Sequence, residues 1–513
     1  MSNVPTGEQA AAVDAFSTGH NIVIEAGAGT GKTSTLRLMA DVDPTKRGLY
    51  LAFNKAIQTE AAEKFRGTNV TAKTAHSLAY ADFGRPMEHK LAKGQRMRSG
   101  DRAEALGLRS ALMAQGEHSY EQSKITKNVA TRLIGDTVTN FCRSQNSEIT
   151  PDLVPIPLAL MLDEVQTQDA QNQISKFARK YWLDVLDPDG ILPFTHDHYL
   201  KMFSLTNPRL DYDYILFDEA QDADEGISGI VKAQTHAQVI AVGDRNQAIY
   251  GWRGATDALD AFGGDRYQLT QSFRFGDAIA DEANVWLDLL KSDLRLIGSD
   301  KPSSVHETKN RVPEAVLVRS NSGGIAEVIR AHEDGVSVAI AGKGKALQMM
   351  KLAEAAKSLQ DKHYTYHPEL DMFKSWSEVQ DFVDEEETSD LKPFVKLIDA
   401  HGADFLIRAI ERCVPESVAR TVISTAHVAK GLEWKHVRIA EDFRAPGKDE
   451  DGNQKPLDRA EAMLAYVAVT RAQRHLDNTG LAWVHTFTGG LAQITAEAAA
   501  KAAKREAVQL ASA

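Results

Sequence analysis

The 513-residue chain has little cysteine, no long apolar run and no excess of basic charge. Its two cysteines, Cys142 and Cys413, lie far apart and have no cysteine or histidine partner at metal-ligand spacing, so we expect neither a disulfide framework nor a zinc site. No apolar run approaches the roughly 20 residues that cross a bilayer. The N-terminal segment lacks the basic start and apolar stretch of a secretion signal. We therefore predict a cytoplasmic protein with no membrane partner.

The charge balance restricts how the chain can bind nucleic acid. A formal net charge of −12 argues against a protein that coats nucleic acid non-specifically, because that mode of binding depends on many Lys and Arg contacts with phosphates. A local groove with stacking side chains remains compatible with an acidic exterior. Any nucleic-acid site should therefore be local.

The order of apolar and polar segments predicts an α/β protein with two sheets. Short apolar strands alternate with helical stretches between residues 20 and 80, which is typical of a parallel sheet, and a chain of this length favours two large domains. We predict a first domain formed by residues 1–83 and 206–265 and a second formed by residues 266–349 and 419–490. Helical insertions are expected at 84–205 and, in reduced form, at 350–418, and a C-terminal helical tail at 491–513.

The segment AGAGTGKT follows the apolar strand IVIEA and opens a predicted helix, which matches a P-loop in context. In such a loop backbone N–H groups surround the phosphates, Lys32 neutralises the β and γ oxygens and Thr33 holds Mg²⁺. The alternative is a glycine-rich turn without a ligand. The predicted cofactor-binding residues of the loop are Ala26, which replaces the usual first glycine, Gly27, Ala28, Gly29, Thr30, Gly31, Lys32 and Thr33.

A second motif, which is acidic, favours the interpretation of AGAGTGKT as a P-loop. YILFDEAQD is an apolar strand that ends in Asp218 and Glu219, and α/β sheets present ligand sites at the carboxyl ends of their strands. Asp218 would hold Mg²⁺ and Glu219 would orient and deprotonate the attacking water. A surface acidic turn is the alternative, and the two motifs together make it a poor one.

Several blocks resemble the UvrD-like branch of superfamily 1 helicases, in the order that the family has them. They are TGEQAAAV, the P-loop, AFNKAIQTEA, TAHSLAY, DEAQD, VGDRNQAIYGWRGA, LTQSFRF, TAHVAKGLEW and LAYVAVTRA. LAFNKA and KTAHSLAY look most like F-box DNA helicases and similar phage or bacterial proteins, although we expect no F-box ahead of Gln9. The resemblance implies two RecA-like P-loop NTPase domains, with ATP in the cleft and single-stranded DNA crossing both.

The resemblance also implies roles for five residues at the nucleotide. Gln9 reads the adenine edge, Gln247 senses the γ-phosphate and Glu433 contacts the nucleotide from the second domain. Arg274 and Arg471 are arginine fingers, which stabilise charge on the transferring phosphoryl group. If Arg471 did not stand in the VTRA motif, a helix-face arginine in a salt bridge would be the better interpretation.

The adenine pocket departs from the family pattern. Related enzymes hold the base between an aromatic residue and an arginine that follows the P-loop threonine, and these positions are Phe273 and Ser34 here. Phe273 can stack on a base, whereas Ser34 cannot. Whether Arg37 replaces the missing arginine stays open, and so does base selectivity.

A motor on single strands needs side chains on which successive bases stack. IYGWRGA supplies Tyr250, Trp252 and Arg253 directly after the γ-phosphate sensor, although Trp252 could instead be a core residue. Phe53 could merely close a buried strand. The other candidates that the resemblance implies for nucleic-acid binding are Phe53, Asn54, Lys55, His76, Ser77 and His427.

These expectations combine into one function. We predict a DNA helicase that couples hydrolysis of ATP, with Mg²⁺ as cofactor, to 3′-to-5′ movement on single-stranded DNA; the polarity rests on the resemblance alone. The alternative is a DNA-dependent ATPase that strips proteins from single strands without productive unwinding. Expected partners are single-stranded DNA, junctions of single and double strands, and a protein of DNA repair, recombination or replication.

Overall fold

The structure is a computed structural model. It describes residues 4–94, 97–118, 120–157, 160–249, 258–307, 312–365, 367, 369–370, 373–385, 391–449 and 451–492. The chain divides into two compact bodies, one formed by residues 1–26 and 31–269 and the other by residues 27–30 and 270–513. None of the helices in these described ranges has both the length and the apolar character needed to cross a bilayer.

A parallel sheet forms the centre of the first body. Its strands are β1 (Ile22–Ala26), β2 (Gly48–Ala52), β3 (Val70–Thr74), β6 (Tyr214–Phe217), β7 (Gln238–Gly243) and β8 (Asp265–Leu269), and a separate antiparallel pair is formed by β4 (Leu112–Gln115) and β5 (Gln122–Ile125). The sheet order is β3-β2-β6-β7-β1-β8. Strands β2, β6 and β7 are buried at every position because helices cover both faces.

The helices of the first body pack on the two faces of this sheet. One face of the sheet packs against Phe16, Leu36 and Phe65, which come before the predicted insertion in the sequence. The other face shares a continuous core with helices of the predicted insertion. The helices are α1 (Gly7–Phe16), α2 (Lys32–Val42), α3 (Lys55–Lys64), α4 (Ala75–Ala79), α5 (Glu88–Gly94), α6 (Ser99–Leu106), α7 (Lys127–Arg143), α8 (Glu164–Leu186), α9 (His196–Leu205), α10 (Glu225–Lys232) and α11 (Ala258–Ala261).

The second body is built on another parallel sheet. Its strands are β11 (Ser304–Val305), β12 (Ala315–Val318), β13 (Val338–Ile340), β14 (Thr421–Thr425), β15 (Trp434–Ile439) and β16 (Ala472–Asp477), beside a short pair of β9 (Gln271–Gly276) and β10 (Ile297–Ser299). The sheet order is β11-β16-β15-β12-β14-β13. Its helices are α12 (Asp277–Leu289), α13 (Asn321–Glu333), α14 (Lys345–Lys362), α15 (Trp376–Glu385), α16 (Lys392–His401), α17 (Ala403–Glu411), α18 (Ala426–Ala429) and α19 (Arg459–Val469).

The predicted fold class, α/β with two parallel-sheet units and helical insertions, is confirmed, and two of its boundaries differ in detail. The predicted second domain begins at residue 266, whereas β8 pairs with β1 through Leu269, so the first sheet extends to that residue. We began the second insertion at residue 350, but helix α14 starts at Lys345 and packs with α17 in one core with the second sheet. Of the predicted C-terminal tail, residues 493–513 lie outside the described ranges.

Candidate nucleotide and nucleic-acid site

Three neighbouring strands of the first sheet bring the predicted nucleotide motifs to one edge. The P-loop follows β1, Asp218 and Glu219 follow β6, and Asp244 follows β7. The sheet order β6-β7-β1 makes these strands neighbours. Since all of them are parallel, their carboxyl ends meet at the same edge, which is where α/β sheets bind ligands.

The P-loop has the backbone that its glycines predict. Gly29 and Gly31 have positive φ values of 74° and 80°, a conformation that residues with a side chain rarely adopt. Gly31 is the N-cap of α2, so Lys32 and Thr33 occupy the first turn of that helix. Ala26 closes β1 as an extended, buried residue, and the missing first glycine therefore costs the loop no strain.

Lys32 lies against the predicted general base. Its ammonium nitrogen is 3.3 Å from Oε1 of Glu219 and 3.4 Å from Oε2. Burial alone lowers the pKa of Lys32, but three neighbouring carboxylates outweigh burial and the pKa is raised. These carboxylates belong to Glu219, Asp244 and Asp218. Lys32 is therefore a fixed positive charge at this edge of the sheet.

Asp218 is buried and held by a residue that the motifs do not contain. Tyr50 of β2 donates its hydroxyl to Oδ2 of Asp218, and the Glu219 backbone N–H donates to Oδ1 at 2.9 Å. Burial, followed by the charge of Glu219, raises the pKa of Asp218 above its usual range. Thr33, in the first turn of α2, and Asp218, directly after β6, supply a hydroxyl and a carboxylate oxygen, which are hard donors of the kind that Mg²⁺ prefers.

A hydrogen-bond network joins the predicted general base to the predicted γ-phosphate sensor. Gln221, which is fully buried, donates from Nε2 to Oε2 of Glu219 at 2.7 Å. Its Oε1 accepts the Asp244 backbone N–H at 3.1 Å, and Asp244 in turn accepts Nε2 of Gln247 at 2.6 Å. Glu219 itself has a φ of 51°, an uncommon backbone for a residue with a side chain, which is typical of functional positions.

The residues predicted near the adenine have identifiable local contacts. Gln9 is buried in a capping box at the start of α1, where its Oε1 accepts the Thr6 backbone N–H at 3.0 Å. Ser34 is exposed. Arg37 donates from Nε to the Lys64 carbonyl at 3.0 Å and pairs with Asp41, so in this conformation it is bound to its own helix and to α3.

The predicted nucleic-acid residues of the first body lie at the ends of β2 and β3. Phe53 is half-buried just past β2, and Asn54 caps α3 by accepting the Ile57 backbone N–H at 3.0 Å. Lys55 is exposed at the start of α3, where Nζ donates to a glutamine one turn along at 3.0 Å. Phe53 therefore lies directly after the end of β2 and is not part of that strand.

The TAHS motif contributes one half-exposed ring and one cap. His76 lies 3.4 Å from Oδ1 of Asp197, a residue of α9 whose other oxygen is 3.3 Å from Arg143. Ser77 instead closes a capping box, in which Thr74 and Ser77 each accept the other's backbone N–H. The hydroxyl of Ser77 is used within the helix start, whereas the His76 side chain is 37% exposed.

Two of the predicted second-domain residues, Arg274 and Glu433, pair with each other. Arg274 donates from Nε to Oε2 of Glu433 at 2.5 Å and from Nη1 to the Thr470 carbonyl at 2.9 Å. Arg471 is buried, and its Nε donates to the Val467 carbonyl at 2.8 Å. Phe273, beside Arg274, is 38% exposed and so does not belong to the buried core.

The remaining predicted contacts are His427 and the aromatic block. His427 lies in the short helix α18, and burial, followed by the positive charge of Arg319, lowers its pKa. Tyr250, Trp252 and Arg253 lie outside the described residues, so their roles stay predictions.

Sequence reasoning missed three residues of this site. Gln221 and Asp244 stand inside the motifs DEAQD and VGD, and their place in these motifs was the signal that the sequence offered. The structure shows that both side chains are buried. Tyr50 is the single polar side chain of the otherwise apolar strand GLYLA. Nothing in the sequence places β2 next to β6, and so the contact of Tyr50 with Asp218 could not be predicted.

The two parallel-sheet bodies and the P-loop network define a P-loop NTPase. The UvrD/REP helicase N-terminal domain model matches residues 6–259, and the UvrD-like helicase C-terminal domain model matches residues 327–477. The chain belongs to the UvrD-like helicase family.

Several proteins are similar to most or half of this chain. F-box DNA helicase protein 1 of Schizosaccharomyces pombe is 29% identical over 497 residues, covering 89% of this chain and 55% of its own length. F-box DNA helicase 1 of Gallus gallus is 30% identical over 504 residues, covering 89% of this chain and 47% of its own length. DNA helicase IV of Escherichia coli is 25% identical over 312 residues, covering 52% and 44% respectively. The chain thus spans about half the length of these relatives.

Proposed function

We propose that this protein is an ATP-dependent DNA helicase that moves 3′ to 5′ along single-stranded DNA and opens duplex ahead of it. The observation that carries ATP hydrolysis in this proposal is the network of Lys32, Glu219, Gln221, Asp244 and Gln247 at one edge of the first sheet, whereas the polarity rests on the resemblance alone. It joins a phosphate-binding lysine, a carboxylate base and a phosphate-sensing amide through direct hydrogen bonds.

The chemistry of each residue fits phosphoryl transfer. Lys32 neutralises phosphate oxygens, and Glu219 orients the attacking water and accepts its proton. Thr33 and Asp218 would hold Mg²⁺, which neutralises phosphate charge when it is bound. Gln247 reports the presence of the γ-phosphate to Glu219 through Asp244 and Gln221, so loss of that phosphate alters the position of the base.

The nucleic-acid substrate is a proposal that rests on surface residues and on the relatives' names. Single-stranded DNA would contact Phe53, the exposed Lys55 and the ring of His76 in the first body, and His427 in the second. Stacking on such rings contributes about 1–3 kcal/mol per base. The cytoplasmic location and a protein partner in repair, recombination or replication stay predictions.

ATP turnover should depend on single-stranded DNA. We expect slow hydrolysis without nucleic acid, marked stimulation by single-stranded DNA and weaker stimulation by single-stranded RNA of the same sequence and length, because the similar proteins are named as DNA helicases. Phosphate release measured on the three samples tests this, and Lys32→Ala serves as the background control. Equal stimulation by RNA, or none by either polymer, would contradict the proposed substrate.

The direction of movement is tested with partial duplexes. We expect duplexes with a 3′ single-stranded tail to open and those with a 5′ tail to stay closed. Opening should be modest, because the second insertion is short and its helices share a core with the second sheet rather than forming a large separate subdomain. Preferential opening of 5′-tailed duplex would overturn the polarity. DNA-stimulated hydrolysis with neither substrate opened would favour the protein-stripping alternative.

A further inference from the structure

Strand β2 carries a tyrosine where its neighbours are apolar. Tyr50 is fully buried between Leu49 and Leu51, and its ring packs at 5.2 Å from that of Phe65. A buried tyrosine hydroxyl needs a hydrogen-bond partner, since leaving it unpaired costs about 1–3 kcal/mol. The register that pairs Tyr50 with Leu216 directs this hydroxyl toward the end of β6.

The hydroxyl of Tyr50 contacts Asp218, one of the two side chains that are proposed to hold the metal. It donates to Oδ2 of Asp218. The second oxygen of Asp218 accepts the Glu219 backbone N–H at 2.9 Å. The carboxylate is therefore held at both oxygens, by one side chain and by one backbone group, and its plane is fixed.

The hydrogen bond from Tyr50 also offsets part of the cost of burying the Asp218 side chain, since a buried carboxylate needs hydrogen-bond donors.

We propose that Tyr50 is a positioning residue for the divalent cation that accompanies the nucleotide, because its hydroxyl and the Glu219 backbone N–H together hold the Asp218 carboxylate in one orientation. The inference rests on the proposed ATP hydrolysis and adds a residue that lies outside the motifs. Groups that orient metal ligands commonly change metal affinity by about 10–100-fold when they are removed. Tyr50→Phe removes the hydroxyl and keeps the ring.

The test is binding of Mn²⁺ in the presence of ADP, followed by electron paramagnetic resonance of the free ion. We expect Tyr50→Phe to weaken Mn²⁺ binding by about 10–100-fold. Binding of a fluorescent ADP in excess chelator should stay within about twofold of the unmodified protein, because Lys32 and the P-loop are unchanged. The same variant should need more Mg²⁺ for half-maximal ATP hydrolysis and recover most of its turnover at high Mg²⁺.

Tyr214→Phe is the matched control. Tyr214 begins β6 in the same buried layer, where its ring packs edge-on against Phe16 at 5.1 Å, at the opposite end of the strand from Asp218. Its Mn²⁺ affinity should be unchanged. Equal Mn²⁺ affinity for Tyr50→Phe and the unmodified protein would overturn the inference alone, whereas absence of ADP-dependent Mn²⁺ binding in the unmodified protein would overturn the proposed function.

A folding defect in Tyr50→Phe is resolved by a second substitution. If the loss comes from leaving the buried Asp218 carboxylate without its donor, Tyr50→Phe combined with Asp218→Asn should restore a cooperative thermal transition. Such rescue would support the pairing of hydroxyl and carboxylate. If the double variant is unfolded as well, Tyr50 is a packing residue and the inference is wrong.

Discussion

Replacing Glu219 with glutamine should lower ATP turnover by about 10²–10⁴-fold while nucleotide and DNA binding persist. Glutamine keeps the size of the side chain and an oxygen that can accept from Lys32 and Gln221, but it cannot accept a proton from water. The change also introduces no new backbone strain, because glutamine tolerates the φ of 51° as well as glutamate does. Single-turnover phosphate release and fluorescent-nucleotide titration measure the two properties separately.

The matched control is Glu225→Gln. Glu225 begins α10, a short distance after Glu219, and is likewise half-buried, but it belongs to the first turn of a helix rather than to the network around Lys32. Its turnover should equal that of the unmodified protein. Near-normal turnover in Glu219→Gln would remove Glu219 as the base, and combined loss of turnover and nucleotide binding would show that its main role is structural support of Lys32.

Local patterns predicted those parts of the site that are continuous in the chain. The P-loop and its helix start need only glycines at the positive-φ positions and a preceding apolar strand, and both occur within a dozen residues. Asp218 and Glu219 directly follow the strand YILF, so their placement at a sheet edge follows from the strand alone. Asn54 was predicted only as a nucleic-acid contact, and the structure shows that its side chain caps α3.

Contacts between distant segments could not be predicted from the sequence. Tyr50 and Asp218 are 168 positions apart, and their contact depends on β2 lying beside β6, an order that no local pattern encodes. Gln221 also depends on its neighbours, because its amide fits only where Gly243 has no side chain: a Cβ there would lie 2.1 Å from its oxygen. The motif order implied the family, whereas strand adjacency produced the network.

The helical insertions at 84–205 and 350–418 are predictions from the polar, helical sequence pattern, and that pattern does not predict how these segments pack. We expected interruptions of the two sheets, and polar helical patterns do occupy those ranges. Buried residues such as Phe141 and Leu200 nonetheless join one core with Leu51 of β2 and Phe217 of β6. A polar average over a segment conceals the few apolar positions on one helix face, and those positions decide whether the segment packs on the sheet.

Substitution of Arg274 is expected to have the largest effect, a fall in turnover of about 10³–10⁵-fold for Arg274→Ala. We propose that its guanidinium stabilises the transferring phosphoryl group as an arginine finger. In the structure it is paired with Glu433 at 2.5 Å. Burial acts to raise the pKa of Glu433, but the charge and hydrogen bond of Arg274, together with Gln473 and Arg471, outweigh burial and lower it.

The ion pair gives Arg274 a defined resting partner that it must exchange for phosphate. Arg274→Lys keeps the charge but loses the planar fork, so it should recover only part of the lost turnover. Nucleotide affinity should change little in either variant, since a finger acts mainly in the transition state. Arg295→Ala is the control, because Arg295 forms an ion pair at 2.5 Å with Asp288 in the same body and is exposed. Turnover of Arg274→Ala within about tenfold of the unmodified protein, measured with saturating ATP and single-stranded DNA, would assign Arg274 to support of Glu433 and remove it as a finger.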